Sequence, residues 1–256
     1  MCKLKSAIIL KDRIFIPNFD SHSDMLEYLG IEDNYLGASK KFVRAELSPV
    51  DGDVFTDIDG WEFVVDQDIT PEWFSEDEYK PRMVEAVKEW AKTHIHIGVD
   101  GLKISSGENH YVKNCKNVVI DNSTVTAWGN STVTAWENST VTARENSTVT
   151  AWENSTVTAR ENSTVTAWGN STVTAWGNST VTARENSTVT ARGNSTVTAW
   201  ENSTVMNDDY YFWYKQSTLI LSDNATFKDK MGKVIYQSGD YKLITVESGK
   251  TIGASK

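Results

Sequence analysis

Asn122-Ser123-Thr124-Val125-Thr126-Ala127-Trp128-Gly129 is a phrase that repeats almost without error as far as Val205. Asparagine returns at every eighth position to Asn202, and valine at every eighth position to Val205. Six of the eight slots are invariant through ten full copies. Only the last two vary, one between Trp and Arg, the other between Gly and Glu. A short fixed period marks a chain that winds on itself, each repeat burying against its neighbours what it cannot bury alone. Such a chain presents a surface; it does not enclose an ordinary enzyme pocket.

Period-2 geometry sorts the slots by face. In an extended Ser-Thr-Val-Thr-Ala, the Ser, Val and Ala share one side, and both threonines share the other with the Trp or Arg. Valine belongs in a core and a Trp or Arg at every turn belongs outside, so the Ser/Val/Ala side is predicted to be buried. Asn, with the Gly or Glu before it, is predicted to make the corner, because Asn tolerates left-handed backbone and bonds its own chain. Two sheets packed face to face lie about 10 Å apart, a gap that Ser, Val and Ala can just close. A triangular coil of three octads would enclose more volume than they fill, and close-packed interiors leave no such voids. The expected fold class is therefore mainly β, a two-faced β-solenoid with two octapeptides per coil. Ten copies then give roughly five coils, about 25 Å of stack at the usual strand spacing.

Three regions follow. Residues 1–113 are expected to form an α+β N-terminal capping domain, 114–205 the solenoid, and 206–256 degenerate coils with a C-terminal β cap. Asn114 to Asp121 fills one octad ahead of the first clean copy. Downstream, the aromatic run Tyr210-Tyr211-Phe212-Trp213-Tyr214 breaks the grid. Gln216 to Asp223 then reads as an octad with Leu in the Val and Ala slots, and Asn224-Ala225-Thr226-Phe227 starts another. Larger core residues suit a widening, capped terminus, since a bare end is an exposed sheet edge. Val234 to Val246 is predicted to add closing strands. In the N-terminal region, Arg13–Pro17, Lys41–Leu47 and Trp61–Val65 read as strands and Ser21–Leu29 as a helix stopped by Gly30. The strongest helix signal has Ser75 and Glu78 as a capping box, Pro81 in the first turn, and an apolar stripe of Met83, Val84, Val87, Trp90 and Ala91. It is predicted to end near Thr93.

With two octads per coil, the variable slots fall into two columns. One reads Trp128, Arg144, Arg160, Trp176, Arg192; the other reads Trp136, Trp152, Trp168, Arg184, Trp200. Neighbours in a column lie one strand spacing apart, close enough for ring stacking and for Arg over Trp. Two readings stand: a stabilising ladder along each edge, or a docking surface for a glycan, a protein or a second copy of the chain, as exposed rows of large aromatics often are. The other surface feature is Thr-x-Thr. Thr124 and Thr126, Thr140 and Thr142, Thr156 and Thr158, Thr172 and Thr174, and Thr188 and Thr190 would line up outward in two straight rows, about 6.7 Å apart along the strand.

These Thr-x-Thr rows resemble those of hyperactive antifreeze proteins. Ser-Thr-Val-Thr-Ala in sixteen-residue coils is also similar to the repeats of bacterial ice-nucleation proteins. That resemblance implies a β-solenoid and the ordering of water. A second resemblance covers nearly the whole chain. Ser21-His22-Ser23-Asp24-Met25-Leu26-Glu27-Tyr28-Leu29, then Trp61 to Phe74, then a helix across Val84 to Trp90, then octads, resembles a group of octapeptide-repeat proteins of intestinal bacteria and their phages. It implies the same architecture and an intestinal microbial setting, and no active site.

Composition narrows the function classes. Net charge is −10, and the four repeat arginines alternate with glutamates, so nucleic-acid binding, which needs clustered Lys and Arg, is not expected. Two cysteines, Cys2 and Cys115, make no disulfide framework. Ala7-Ile8-Ile9-Leu10 is too short for a secretory signal core, and no run approaches the ~20 apolar residues of a membrane helix. The expected setting is cytoplasmic or phage-associated, with no membrane partner; in that setting the Asn-Ser-Thr triplets are not glycosylation sites. His94 and His96 alternate as metal ligands might, with no third ligand evident. Asp20, His22 and Asp24 also alternate, and Ser21 and Asp24 make better sense as helix-start residues. Asp51, Asp53, Asp57 and Asp59 lack calcium-loop spacing. No nucleophile elbow, phosphate loop or zinc-protease motif is present. The expectation is a non-enzymatic structural or interaction protein without cofactor or metal, with ice binding through the threonine rows as the alternative.

Overall fold

The computed structural model describes residues 5–207, 216–221, 225–228, 234–237, 242–247 and 250–255. They fall into two units, Met1–Ile95 and His96–Lys256. The aromatic run Tyr210 to Tyr214 lies outside the described residues.

The first unit is built on a four-stranded antiparallel sheet of β1 (Lys5–Leu10), β2 (Ile14–Phe15), β3 (Phe42–Ser48) and β4 (Glu62–Val65), in the order β2-β1-β3-β4. The apolar run Ala7-Ile8-Ile9-Leu10 is thus a central strand. It is apolar throughout because both of its faces are covered: Ala7 and Ile9 join one core cluster, Ile8 another. Helix α1 (His22–Tyr28) starts at Ser21, whose side chain accepts the Asp24 N–H, and ends before Gly30, at φ 65°. Helix α2 (Tyr35–Ala38) is a single short turn capped by Asn34. Helix α3 (Glu76–His94) packs Tyr79, Met83, Val84 and Val87 onto the Ala7/Ile9 side.

Two details of α3 differ from expectation. Ser75 is the N-cap but makes no side-chain capping bond, so no capping box forms. Glu76, Asp77 and Glu78 favour the positive helix end by charge instead. Because the helix begins at Glu76, Pro81 lies in its second turn and removes the bond its own N–H would make to the Asp77 carbonyl. Lys88 ties α3 to the turn Ile58–Gly60: its ammonium lies 2.8 Å from Asp59 and 3.0 Å from Glu85. Those two hydrogen bonds hold it above the ordinary lysine range.

The second unit is the solenoid. Its strands begin upstream of the octads, with β5 (Ile95–Ile97), β6 (Lys103–Ile104), β7 (Asn109–Lys113) and β8 (Val118–Asp121). Then come β9 (Thr124–Trp128) and β10 (Thr132–Trp136), and β11 to β18, each a Thr-Val-Thr-Ala strand, from Thr140–Ala143 to Thr196–Ala199. The series ends with β19 (Thr204–Asn207), β20 (Gln216–Leu221), β21 (Thr226–Lys228), β22 (Val234–Gln237), β23 (Lys242–Glu247) and β24 (Lys250–Ser255). Strands from β5 on alternate between two ten-stranded sheets, except that β22 joins β21's sheet, while β23 and β24 join the other.

Each octad strand pairs in parallel with the strand sixteen residues on: Thr132 with Thr148, Val133 with Val149, Thr134 with Thr150, Ala135 with Ala151. The two-octad coil is therefore what forms. The stack reaches about seven coils, beyond the five given by the clean octads, because the less regular segments on both sides join the same ladders. Residues 95–113, expected in the N-terminal domain, supply three of these strands. Ile104 and Val112 continue the buried alternation without spelling the octad.

Ser, Val and Ala of every copy are buried, and Val and Ala form one continuous core from Ile104 to Phe227. At the far end Leu219 and Leu221 pair with Val197 and Ala199, and Phe227 with Val205. The core thus widens where the repeat decays. The parallel run stops there, as β22 adds antiparallel to β21 and β23 to β20.

The serine is invariant for a reason its face alone does not give. Its hydroxyl, buried among apolar neighbours, donates to the carbonyl three residues back: Ser139 to Trp136 at 2.6 Å, Ser171 to Trp168 at 2.7 Å, Ser187 to Arg184 at 2.6 Å. It thereby closes the corner and satisfies a group that burial would otherwise penalise.

The corner corrects the sequence reading. The left-handed residue is the Gly or Glu of the eighth slot, in all ten copies, with φ between 44° and 65°. Asn takes that conformation within the octads only at Asn122 and Asn162. Asn instead bridges coils: Asn138 Nδ2 donates to Asn122 Oδ1 at 3.2 Å, and Asn194 to Asn178 at 3.4 Å. Glycine adopts positive φ freely, whereas an L-residue there costs about 1–2 kcal/mol. Some glutamates recover part of this by capping the previous coil. Glu145 Oε2 accepts the Gly129 N–H at 2.9 Å, and Glu201 Oε2 accepts the Glu185 N–H at 3.0 Å.

Two stability changes follow. Glu153→Gly should stabilise the solenoid by about 1 kcal/mol, whereas Glu145→Gly, which also loses the bond to Gly129, should gain less; urea midpoints of the two variants measure the difference. Ser187→Ala should cost about 1–2 kcal/mol by the same measurement, although it removes only one oxygen.

Candidate functional site

Each solenoid sheet turns a repeating strip outward: two threonine columns and, at the strand end, a column of Trp and Arg. The strip exists because parallel in-register pairing sets every side chain on its own counterpart one coil away. For an aromatic ring this means stacking.

In the column on the even-numbered strands, Trp136 and Trp152 stack with centroids 5.3 Å apart and planes 8° from parallel. Trp152 and Trp168 stack at 5.1 Å and 10°. Arg184 follows, its guanidinium 4.8 Å from the Trp168 ring and 5.4 Å from the Trp200 ring. All five residues thus form one unbroken stack. In the other column Arg144 lies 5.2 Å from Trp128, and Tyr111 continues that column upstream at 6.3 Å. Arg192 sits 4.4 Å from Trp176 on one side and Arg160 5.9 Å on the other. Arg144 and Arg160, one coil apart, have no ring between them. The Nε atoms of Arg144 and Arg184 are buried without a hydrogen-bond partner, as befits guanidinium groups held over indoles.

The predicted partner-binding residues are therefore brought together as the two columns expected. Their ring faces, however, are largely occupied by each other. Trp152 and Trp168 are half-buried, and Trp136, Trp176 and Trp200 are the exposed members, at 37–39%. The looser Arg160–Trp176 step opens a groove of about 260 Å³ lined by Arg160, Glu161, Trp176 and Gly177. Gly177 contributes to it by having no side chain where six of the ten copies have Glu.

The threonines fall where expected. Thr124, Thr140, Thr156, Thr172 and Thr188 form one straight row, and Thr126, Thr142, Thr158, Thr174 and Thr190 the other. Their neighbours on each strand, Val and Ala, point into the core. The opposite sheet carries a matching pair of rows, from Thr132 and Thr134 to Thr196 and Thr198.

Several of the other sequence candidates have structural roles. His94 ends α3, stacked 4.7 Å from Trp90, with Nδ1 2.8 Å from the Trp90 carbonyl. His96 stacks on His110 at 5.6 Å, in the solenoid. Asp53 accepts the Phe55 N–H and Asp57 the Asp59 N–H, both as turn caps, and Asp59 pairs with Lys88. A cavity of about 420 Å³ beside α2 is lined by Asp33, Arg44 and Gln67 among others. Arg44 is paired with Asp33, and Gln67 bonds the carbonyls of Ala38, Phe42 and Ile69, so its polar groups serve the fold. Among the described residues, no helix is long and apolar enough to cross a membrane.

Compared with known proteins, the chain matches no family model, no curated protein and no solved structure.

Trp152→Ser removes two stacked contacts, each contributing about 0.5–1.5 kcal/mol beyond burial. It should lower stability by about 1–3 kcal/mol and reduce the exciton signal of the indole stack in circular dichroism. Trp176→Ser, flanked only by arginines, should leave that signal unchanged.

Proposed function

We propose that the chain is a non-enzymatic interaction protein: a β-solenoid scaffold that docks an extended partner along its Trp/Arg columns, with the Arg160–Trp176 groove as the anchoring point. The observation that supports this best is the looseness of that one step. Most other indole and guanidinium faces in the columns are already spent on each other. At Trp176 an exposed indole stands beside an exposed guanidinium, with Gly177 leaving space. An indole face takes the C–H side of a sugar ring, and a guanidinium takes a carboxylate in fork geometry. The partner that fits is an acidic glycan, while capture of a protein surface or of a second copy are the other outcomes that screening would reveal. The resemblance of the octads to repeat proteins of intestinal bacteria and phages points to a microbial setting, cytoplasmic or phage-borne, for this role.

Glycan-array binding of the full chain, compared with Trp176→Ser and Arg160→Gln, tests the reading. Both variants should lose binding by about tenfold or more, the effect of a kilocalorie-scale contact, with unchanged far-ultraviolet circular dichroism. Binding that persists in both, or an array with no acidic glycan bound, removes the proposal.

A second reading, ice binding, draws support from the straightness of the Thr124–Thr188 and Thr126–Thr190 rows. It has to contend with the Trp/Arg column rising along one edge of that face. Under this reading purified protein should shape ice crystals and inhibit recrystallisation, and Thr156→Tyr should abolish both. Unmodified ice growth in its presence sinks it.

A further inference from the structure

One face of the N-terminal sheet holds a polar cluster that the solenoid's role leaves unused. His22 opens α1, Glu46 lies on β3, and Asp66 follows β4. One ligand atom from each lies within 4.8 Å of the other two. His22 Nε2 is 3.2 Å from the Ala45 carbonyl oxygen. A carbonyl only accepts, so Nε2 carries the proton and Nδ1 can present a lone pair. Nδ1 faces Asp66 Oδ2 at 3.3 Å, another atom that offers lone pairs when ionised. Two such atoms in contact need a positive centre between them, which either a proton on Nδ1 or a bound metal ion supplies.

The surroundings sharpen the point. His22 and Glu46 are each only 6% exposed, whereas the Asp66 side chain is 60% exposed and leaves one side open to solvent. Ser6 stands directly opposite Glu46 in the β1–β3 pairing and so shares its sheet face. It is fully buried, and its Oγ has no hydrogen-bond partner. Asp20, the neighbouring carboxylate, is engaged by Lys5 at 3.3 Å and is not part of the set.

We propose that His22, Glu46 and Asp66 bind a divalent transition-metal ion. An imidazole that gives its other N–H to a backbone carbonyl is the usual arrangement of a metal-bound histidine, because that bond fixes the tautomer and ring orientation. One imidazole nitrogen with two carboxylate oxygens suits Zn²⁺ or Mn²⁺ better than Mg²⁺ or Ca²⁺, which prefer all-oxygen sets. Solvent completes the coordination from the Asp66 side, and the Ser6 hydroxyl is placed to donate to the Glu46 carboxylate once the ion orients it. The ion would pin the start of α1 to β3 and β4, three segments otherwise far apart in sequence.

The test titrates the chelator-stripped full chain with Zn²⁺, and separately with Mn²⁺, by calorimetry and thermal unfolding. The expected result is one equivalent bound with a rise in unfolding temperature, since an ion that binds only the folded state stabilises it. Asp66→Asn and Glu46→Gln should each weaken that site by about tenfold or more, with circular dichroism unchanged. Asp66 is exposed enough for its variant to fold even if the Glu46 variant does not. The double variant His96→Gln/His110→Gln should still bind, which separates this site from the His96/His110 pair. Undiminished binding by Asp66→Asn, loss of binding in the His96/His110 variant alone, or no uptake of either ion by the wild-type chain overturns the proposal.

Discussion

Register is the constraint from which the rest of the solenoid follows. Parallel pairing at a sixteen-residue offset sets Thr140 on Thr124, Val141 on Val125 and Ala143 on Ala127, so every slot must be compatible with a copy of itself one strand spacing away. Each invariant residue meets that condition by different chemistry. Valine and alanine pack with their equals across a thin core. Serine turns its hydroxyl onto the backbone. Asparagine donates with its amide nitrogen and accepts with its amide oxygen, so an Asn-on-Asn pair is self-complementary. Tryptophan stacks. Arginine and glutamate, which repel their own kind, occur only in the two variable corner slots, where Arg144 and Arg160, and Glu185 and Glu201, are neighbours one coil apart. The two slots that vary lie outside the Val/Ala core.

That logic also shows why some features were legible in the residues and others were not. Ser-Thr-Val-Thr-Ala alternates with period 2, and alternation translates directly into faces. The small volumes of Ser, Val and Ala then decide between two and three octads per coil. The left-handed position is different. Asn and Gly both favour positive φ, and Glu does not, so intrinsic preference pointed to Asn. The strand ends one residue earlier than that preference supposes, and closure of the coil forces the reversal onto the eighth slot whatever occupies it. Likewise Ile104 and Val112 carry the buried alternation without the octad's wording, so the coils upstream of Asn114 have no textual signature. The strand at Lys5–Leu10 was obscured because a strand covered on both sides shows no alternation at all.

The candidate surfaces differ in legibility for the same reason. The Trp and Arg columns could be counted off the sequence because one period generates them. What could not be read is that neighbouring rings consume each other's faces, leaving Arg160 over Trp176 as the longest of the Arg–Trp contacts. The His22, Glu46 and Asp66 cluster lay further out of reach: its members come from a helix start, a strand and a loop, with no common spacing. His22 reads in sequence as one of several polar residues at a helix start, and only the bond from its ring to the Ala45 carbonyl separates it from them.

The alternation of octads between two sheets has a consequence for how such a chain can change length. Each octad belongs to the sheet opposite that of the octads beside it. Loss of a single copy would transfer everything downstream to the other sheet: Arg192 would leave Trp176 and enter the Trp168 column, and the strand bearing Leu219 and Leu221 would arrive on the wrong side with its antiparallel partner. Loss or gain of two copies merely removes or adds a coil. Recombination within this repeat thus has a parity rule written into the fold, and lineages carrying it are free to lengthen or shorten by even numbers of octads while keeping the same inventory on each face.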